Sequence, residues 1–241
     1  MSIKYELTDE TKNINGITLH RIRALRDIPS AGVKSGDLGG WIKEEHNLCQ
    51  NGDAWVYGDA RVCGNARVYG NALVFGDAEV YDNARVFGDA RVFGDALVYG
   101  YARVCGDARV YGDAEVYGYA RVCGDARVYG YAWVFGDAWV YGYARVCSNA
   151  RVCGGTEVCG NALVYGNADY MTFKNSWSSG RWFTYTRSNK MWKVGCFYGS
   201  GDELIKKAYA DSELSGKCYE AIVRAVETIE AAKAEAKGGA K

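Results

Sequence analysis

Few residues in this chain of 241 have the type and spacing to do chemistry. Its two histidines are His20, in "ITLHRIRAL", and His46, in "KEEHNL". An imidazole titrating near neutral pH can take a proton from an attacking group, which makes His46 the one candidate general base. A solvated histidine in a charged loop is the competing reading. A zinc centre of the kind that gathers several imidazoles has no ligand set here, and no C-x-x-C occurs among the nine cysteines, so no metal is expected.

The stretch "SWSSGRWFTYTRSNKMWKVGCF" interleaves Trp177, Trp182, Tyr185 and Trp192 with Arg181, Arg187, Lys190 and Lys193. Aromatic faces stack on nucleobases at about 1–3 kcal/mol per base, while Arg and Lys hold phosphates. That pairing suits a nucleotide, and "SSGR" is a small loop able to offer backbone N–H groups. Strand alternation sets a limit: Trp182 and Phe183 must face opposite sides, and one side is expected to be the core of a small domain.

The elements that would position such groups are written in a six-residue period. Val recurs at every sixth position from Val56 to Val164, with Ala two before it except at Thr156. Gly stands two after it except at Asp82 and Ser148, and the next residue is usually Asp or Asn. A helix repeats near 3.6 residues and a lone strand every two, so a strict six requires one turn per unit. Gly followed by Asx is turn chemistry, and Ala and Val, two apart, point to the same side of a short strand. Three such strands close an eighteen-residue triangular coil. The longer repeat is indeed eighteen, since "YARVCGDARVYGDAEVYG" is followed by "YARVCGDARVYGYAWVFG". Stacked at about 4.8 Å, six coils make a column of about 30 Å lined by Ala and Val.

Sorting the outward slots by side places Arg67, Arg85, Arg103 and Arg121 in one column and Arg91, Arg109, Arg127 and Arg145 in another. Like charges about 5 Å apart need neighbouring carboxylates, aromatic faces or a bound anion. Corner residues such as Asp107 and Asp125, with flanking Tyr rings, could satisfy them; otherwise the columns form a ligand or partner surface, with Arg103 and Arg121 as candidate binding residues. Tyr101, Tyr119, Tyr131 and Tyr143 occupy corners where Asp or Asn is expected, and Trp133 and Trp139 stand where Arg is usual. Large exposed aromatics favour an oligomer interface. Cys63, Cys105, Cys123, Cys147, Cys153 and Cys159 share the slot after Val with Tyr and Phe, and read as surface or interface fillers in a reducing cytosol. Cys147, Cys153 and Cys159 fall on three different sides, whereas Cys105 and Cys123 stack one coil apart, near enough for a disulfide.

The unit A-x-V-x-G-[D/N] resembles the left-handed β-helix family of hexapeptide-repeat proteins over roughly residues 50–169. Handedness is what the resemblance implies, since that family departs from the usual right-handed crossover. The slot after Val is normally small in the family and is large here. "GDLGGWI", preceded by "ITLHRIRAL", is similar to the N-terminal cap of uncharacterised hexapeptide-repeat proteins encoded by phages and prophages, often labelled acyltransferases from their repeats alone. The resemblance implies side-by-side trimers and a viral or prophage accessory protein. For enzymes on this fold it implies acyl transfer from acetyl-CoA or a carrier, usually with a His base at a cleft between subunits.

Residues 1–49, with "YELTDE" and a turn at "NING", read as a β-hairpin cap and an irregular first coil whose inward residues are Ile42 and Leu48. From 170 to 241 the composition changes to a C-terminal cap of three short strands, "DYMTF", "RWFTYTR" and "MWKVGCF", and two helices. Ser200 and Glu203 form a capping box for the first. The second follows Ser215, with Tyr219, Ile222, Val226 and Ile229 spaced three and four apart, and its polar last residues are expected to fray. Zero formal net charge and no apolar run near eighteen residues argue against a membrane span, a secretion signal and a long nucleic-acid partner, and the resemblance implies the cytoplasm of a bacterial host cell.

The expected fold is mainly β: a left-handed parallel β-helix with an N-terminal β cap and a small α+β C-terminal domain. The expected function is non-catalytic capture, at clefts of a homotrimer, of a small nucleotide-like anion such as a cyclic nucleotide immune signal, countering host antiviral defence without a cofactor. Alternatives are an acyltransferase using acetyl-CoA or a related donor, and a structural scaffold or virion component.

Overall fold

The Ala and Val of the repeat, from Ala54 to Val164, are turned inward and fully buried, and Thr156 takes the Ala place at 2 % exposure. This is the arrangement demanded by a period of six, with one turn per short strand. The computed structural model, which describes residues 3–238, is a parallel β-solenoid followed by a small antiparallel sheet and two helices. It divides into two compact units. The first runs to Thr172 and takes in Thr186–Asn189; the second comprises Phe173–Tyr185 and the chain from Lys190 on.

The solenoid has three faces. Face one runs through Arg61, Glu79, Leu97, Glu115, Trp133 and Arg151; face two through Trp55, Leu73, Arg91, Arg109, Arg127, Arg145 and Leu163; face three through Arg67, Arg85, Arg103, Arg121, Trp139 and Glu157. Face two has seven strands and face three six, all drawn from the regular repeat, so the column has about seven turns. Coils pair in register, so that Arg103 lies opposite Arg121 and Val104 opposite Val122. Each coil donates to the next, as in Arg103 N–H to Ala120 O and Cys105 N–H to Val122 O, both 2.9 Å.

Large residues in the slot after Val are half-buried because they stack on one another. On face two Phe75, Phe93, Tyr111 and Tyr129 follow at centroid spacings of 4.6, 4.8 and 4.9 Å. On face one Tyr81, Tyr99, Tyr117 and Phe135 follow at 4.8, 4.9 and 5.0 Å. The corners turn through left-handed backbone, as at Gly106 with φ 67°. Asp82 and Ser148, which break the Gly pattern, hold φ of 58° and 57° at the same place. The turn geometry therefore overrides the residue preference at those two corners.

The amino-terminal hairpin, β1 (Tyr5–Ile14) with β2 (Ile17–Ala24), joins face one through β3 (Leu38–Ile42) and so covers the open edge of the first coils. Ile42 and Leu48 are fully buried, opposite Val62 and Val68. Tyr5 is buried with its hydroxyl donating to Leu48 O at 2.7 Å, and its ring packs edge-on against Trp55 at 6.3 Å. That contact buries Trp55 in what is otherwise an outward slot. Lys4 is buried beside it, Nζ donating to Ala54 O at 2.8 Å. Burial lowers its ammonium to about 8.

In the second unit, "MWKVGCF" is two strands rather than one. Gly195, at φ 53°, turns Met191–Val194 back onto Phe197–Gly199 in antiparallel pairing. Helix α1 (Gly201–Asp211) opens on Ser200, whose side chain accepts from Glu203 N–H while Glu203 accepts from Ser200 N–H. Helix α2 spans Glu213–Gly238, through most of the polar tail that was expected to fray; the residues after 238 lie outside the described ones. Its inward residues are Val223 and Val226. Among the described residues no helix is long and apolar enough to cross a membrane.

Two expectations follow. Ser148→Gly should stabilise by about 1 kcal/mol, and Gly58→Ala should cost a similar amount, through backbone conformation alone. Gly106→Ala should cost more than Gly58→Ala, because its Cβ would also meet Gly124 N at 2.9 Å; equal losses in urea unfolding would contradict coil-on-coil contact at the corners. Lys4, depressed to about 8 when folded, binds fewer protons than the unfolded chain between there and its ordinary 10.5. Its contribution to stability therefore rises with pH across that window. Wild type compared with Lys4→Met at several pH values should show this rise only in wild type.

Candidate functional site

Face three carries the most distinctive surface of the solenoid. Arg67, Arg85, Arg103 and Arg121 are exposed and in register, two residues beyond a corner column of Asn65, Asn83, Tyr101 and Tyr119. Together these eight line a groove of about 270 Å³. The Tyr101 and Tyr119 rings stack at 5.0 Å, 6° from parallel. Asn83 follows Tyr101 in the corner column, so the ring column ends in a step down to short amides. Arg121 lies over the Trp139 ring at 5.3 Å and Arg67 over Tyr69 at 6.0 Å. Among the described residues none of the four has a carboxylate within ion-pair distance, whereas Arg61 on face one is held by Glu79 at 2.7 Å.

The second arginine column has a different setting. Arg91, Arg109, Arg127 and Arg145 follow corners Asp89, Asp107, Asp125 and Tyr143, and a groove of about 190 Å³ there is lined by Asp107 and Asp125 as well as by arginine. Corner carboxylates thus share this groove with the arginines, as the sequence allows, whereas the face-three groove is lined by none, Asp137 following only at the next corner, before Trp139. Sorting the corner residues by eighteen gives Asn, Asn, Tyr, Tyr on one edge and Asp, Asp, Asp, Tyr on another. That sorting is the signal by which Asn65, Asn83, Arg67 and Arg85 could have been added to Arg103 and Arg121.

The aromatic and basic stretch is mostly packing. Tyr185 and Trp192 are 7 % and 2 % exposed and meet at 5.1 Å, with Phe173 beyond at 6.3 Å from Trp192. Trp177 packs on Phe183 and Tyr219. Asn175, fully buried, accepts from the N–H groups of Trp177 and Ser178, so the donors at the start of the "SSGR" loop are spent internally. Trp182 is half-exposed under Lys174 Nζ at 5.6 Å, while Arg181 and Lys190 are exposed. Lys193 Nζ donates to Gly195 O, and Arg187 belongs to the first unit, its backbone N–H on Asp169 O. These eight residues are therefore not gathered around one space.

His46 is exposed on the first coil, Nδ1 3.3 Å from Glu44 and Nε2 3.0 Å from Gly64 O. His20 lies on β2, near Thr8 O. The aromatics expected at an interface spread over the solenoid: Tyr101 and Tyr119 share one corner, Tyr131 and Tyr143 take the other two, and all four are more than half exposed. Trp133 lies on face one beneath Arg151 at 4.4 Å, and Trp139 on face three.

Fold and groove define a β-solenoid repeat protein whose distinctive side chains stand on the outside. The family described as YdcK Beta solenoid repeat has a model that matches residues 60–76, 66–81, 90–106, 102–118 and 120–136. The similarity is to the coils, including those that carry Arg67, Arg103 and Arg121. No curated protein matches the chain.

The packing assignment in the second unit is testable by truncation. Trp192→Ala should cost about 3–5 kcal/mol in denaturant unfolding, as for a buried aromatic, and Trp182→Ala about 1 kcal/mol or less. Equal, small losses would show that Trp192 is free to meet a ligand.

Proposed function

We propose that this protein is a binding module that captures a small nucleotide-like anion along the arginine column of face three and releases it unchanged. The observation that carries the reading is four exposed guanidiniums in register, with no carboxylate partner among the described residues, in a groove lined otherwise by Asn65, Asn83, Tyr101 and Tyr119. At about 5 Å in water, each neighbouring pair repels by as much as about 0.8 kcal/mol, and phosphate groups placed between them turn that repulsion into charge-assisted hydrogen bonds. The step between Tyr101 and Asn83 supports a base stacked at the end of the ring column, with amides beneath it to meet polar edges. Capture of this kind needs affinity and no proton acceptor.

In its finer form the proposal takes up what the resemblance implies. Prisms associate side by side as trimers through the exposed corner tyrosines, and the anion is a cyclic nucleotide signal of host immunity, held by a phage-type protein in a bacterial cytoplasm.

Calorimetry and thermal shift against a panel of cyclic di- and trinucleotides test it. At least one should bind, more weakly as salt rises. Arg103→Ala with Arg121→Ala should weaken it at least about tenfold, the loss of a charge-assisted contact or more. Ligand released by heat should be chemically intact. Lack of any binding across the panel at low salt, or turnover of the ligand, would overturn the proposal.

A further inference from the structure

The same face carries a second feature, on the far side of the arginines from the tyrosine corner. Cys105 and Cys123 follow Val104 and Val122, which pair in register, and their sulfurs are 2.8 Å apart. Neighbouring parallel strands lie about 4.8 Å apart, inside the 4.4–6.8 Å Cα separation that a disulfide spans. Both thiols are half-buried and so reachable by a small reagent. Among the described coils no other cysteine has this setting. Cys63 is followed by Tyr81 on its face, Cys147 lies between Tyr129 and Tyr165, Cys153 follows Phe135 and Cys159 follows Tyr141. A ring in this slot stacks on the next ring, whereas two thiols in register meet sulfur to sulfur.

We propose that Cys105 and Cys123 form a dithiol redox site, oxidised by a low-molecular-weight disulfide to a bond that ties two consecutive coils of face three. Thiolate is the reacting form, and the setting supplies it. The Cys105 thiol donates to Cys123 and lowers its pKa, with further help from Trp139 and from Arg121 and Arg103 alongside; the same bond, with burial, keeps Cys105 protonated. The Cys123 thiolate attacks one sulfur of the added disulfide, forming a mixed disulfide and expelling one thiolate. Cys105, losing its proton to solvent or to that thiolate, then attacks Cys123 Sγ and expels the second. Two electrons pass from the pair to the reagent, which leaves as two thiols. This site stands apart from the ligand reading, since it needs no anion in the groove.

The test uses the full chain, incubated with oxidised or reduced glutathione, quenched in acid and alkylated. Oxidised glutathione should remove the alkylatable thiols of Cys105 and Cys123 and leave no glutathione adduct on either. Trypsin places both cysteines in peptides of identical sequence, "VCGDAR", at 104–109 and 122–127, so the product is that peptide joined to itself. Mixing ordinary and nitrogen-15-labelled chains before oxidation separates the cases: a bond within one chain gives no peptide pair of mixed isotope. Cys105→Ser and Cys123→Ser should each abolish the joined peptide while circular dichroism shows an unchanged β fold. Both thiols left intact, a persistent glutathione adduct on Cys105 or Cys123 of the wild type, or mixed-isotope pairs would each overturn the proposal.

Discussion

Hydrogen bonding between a residue of one coil and residues of the next, about eighteen positions on, governs everything else in the solenoid. Because coils pair in register, each slot of the repeat becomes a column, and a residue's neighbours above and below are set by arithmetic on its number. Inside, this makes a lining of Ala and Val, broken by Thr156, whose hydroxyl donates to Cys153 O at 2.6 Å, and each buried Val contributes about 1.5–3 kcal/mol relative to exposure. Outside, it multiplies whatever the slot contains. Aromatic rings become ladders at 4.6–5.0 Å, and arginines become rows of positive charge.

The consequences differ by face because the corner residue differs. On face two Asp89, Asp107 and Asp125 precede Arg91, Arg109 and Arg127, so each of these coils carries both signs. On face three the same position holds Asn65, Asn83, Tyr101 and Tyr119, and the groove beside the four arginines is lined by amides and aromatic rings without a carboxylate. On the proposed reading, exchange of one residue per coil converts a structural repeat into a recognition surface without disturbing the lining. Cysteine in the slot after Val is a parallel case: alone it is a filler between rings, but in two successive coils it becomes a thiol pair.

Much of this could be read from residue order. The period of six, its turn chemistry and the inward Ala–Val pair specified the coil, and Ile42 and Leu48 extended it into the irregular first turn. The hairpin and the Ser200 capping box were equally local signals. What stayed hidden is non-local. Trp55 sits in an outward slot and is buried only because Tyr5, fifty residues earlier, packs on it. Tyr185 and Trp192 looked like a stacking platform because alternation cannot tell which side of a strand meets the core. The extra strand at Phe197–Gly199 required Gly195 to turn, and a lone Gly within an apolar run does not announce that. The hand of the coil is absent from a six-residue period, which serves either hand, and rests on family resemblance alone.

Face three is the centre of this account, and a crystal of the protein grown with its tightest-binding cyclic nucleotide examines it most directly. The account predicts phosphate density between the guanidiniums of Arg67, Arg85, Arg103 and Arg121, with a base against Tyr101. Clear ligand density elsewhere, with these four side chains still solvated, would contradict it.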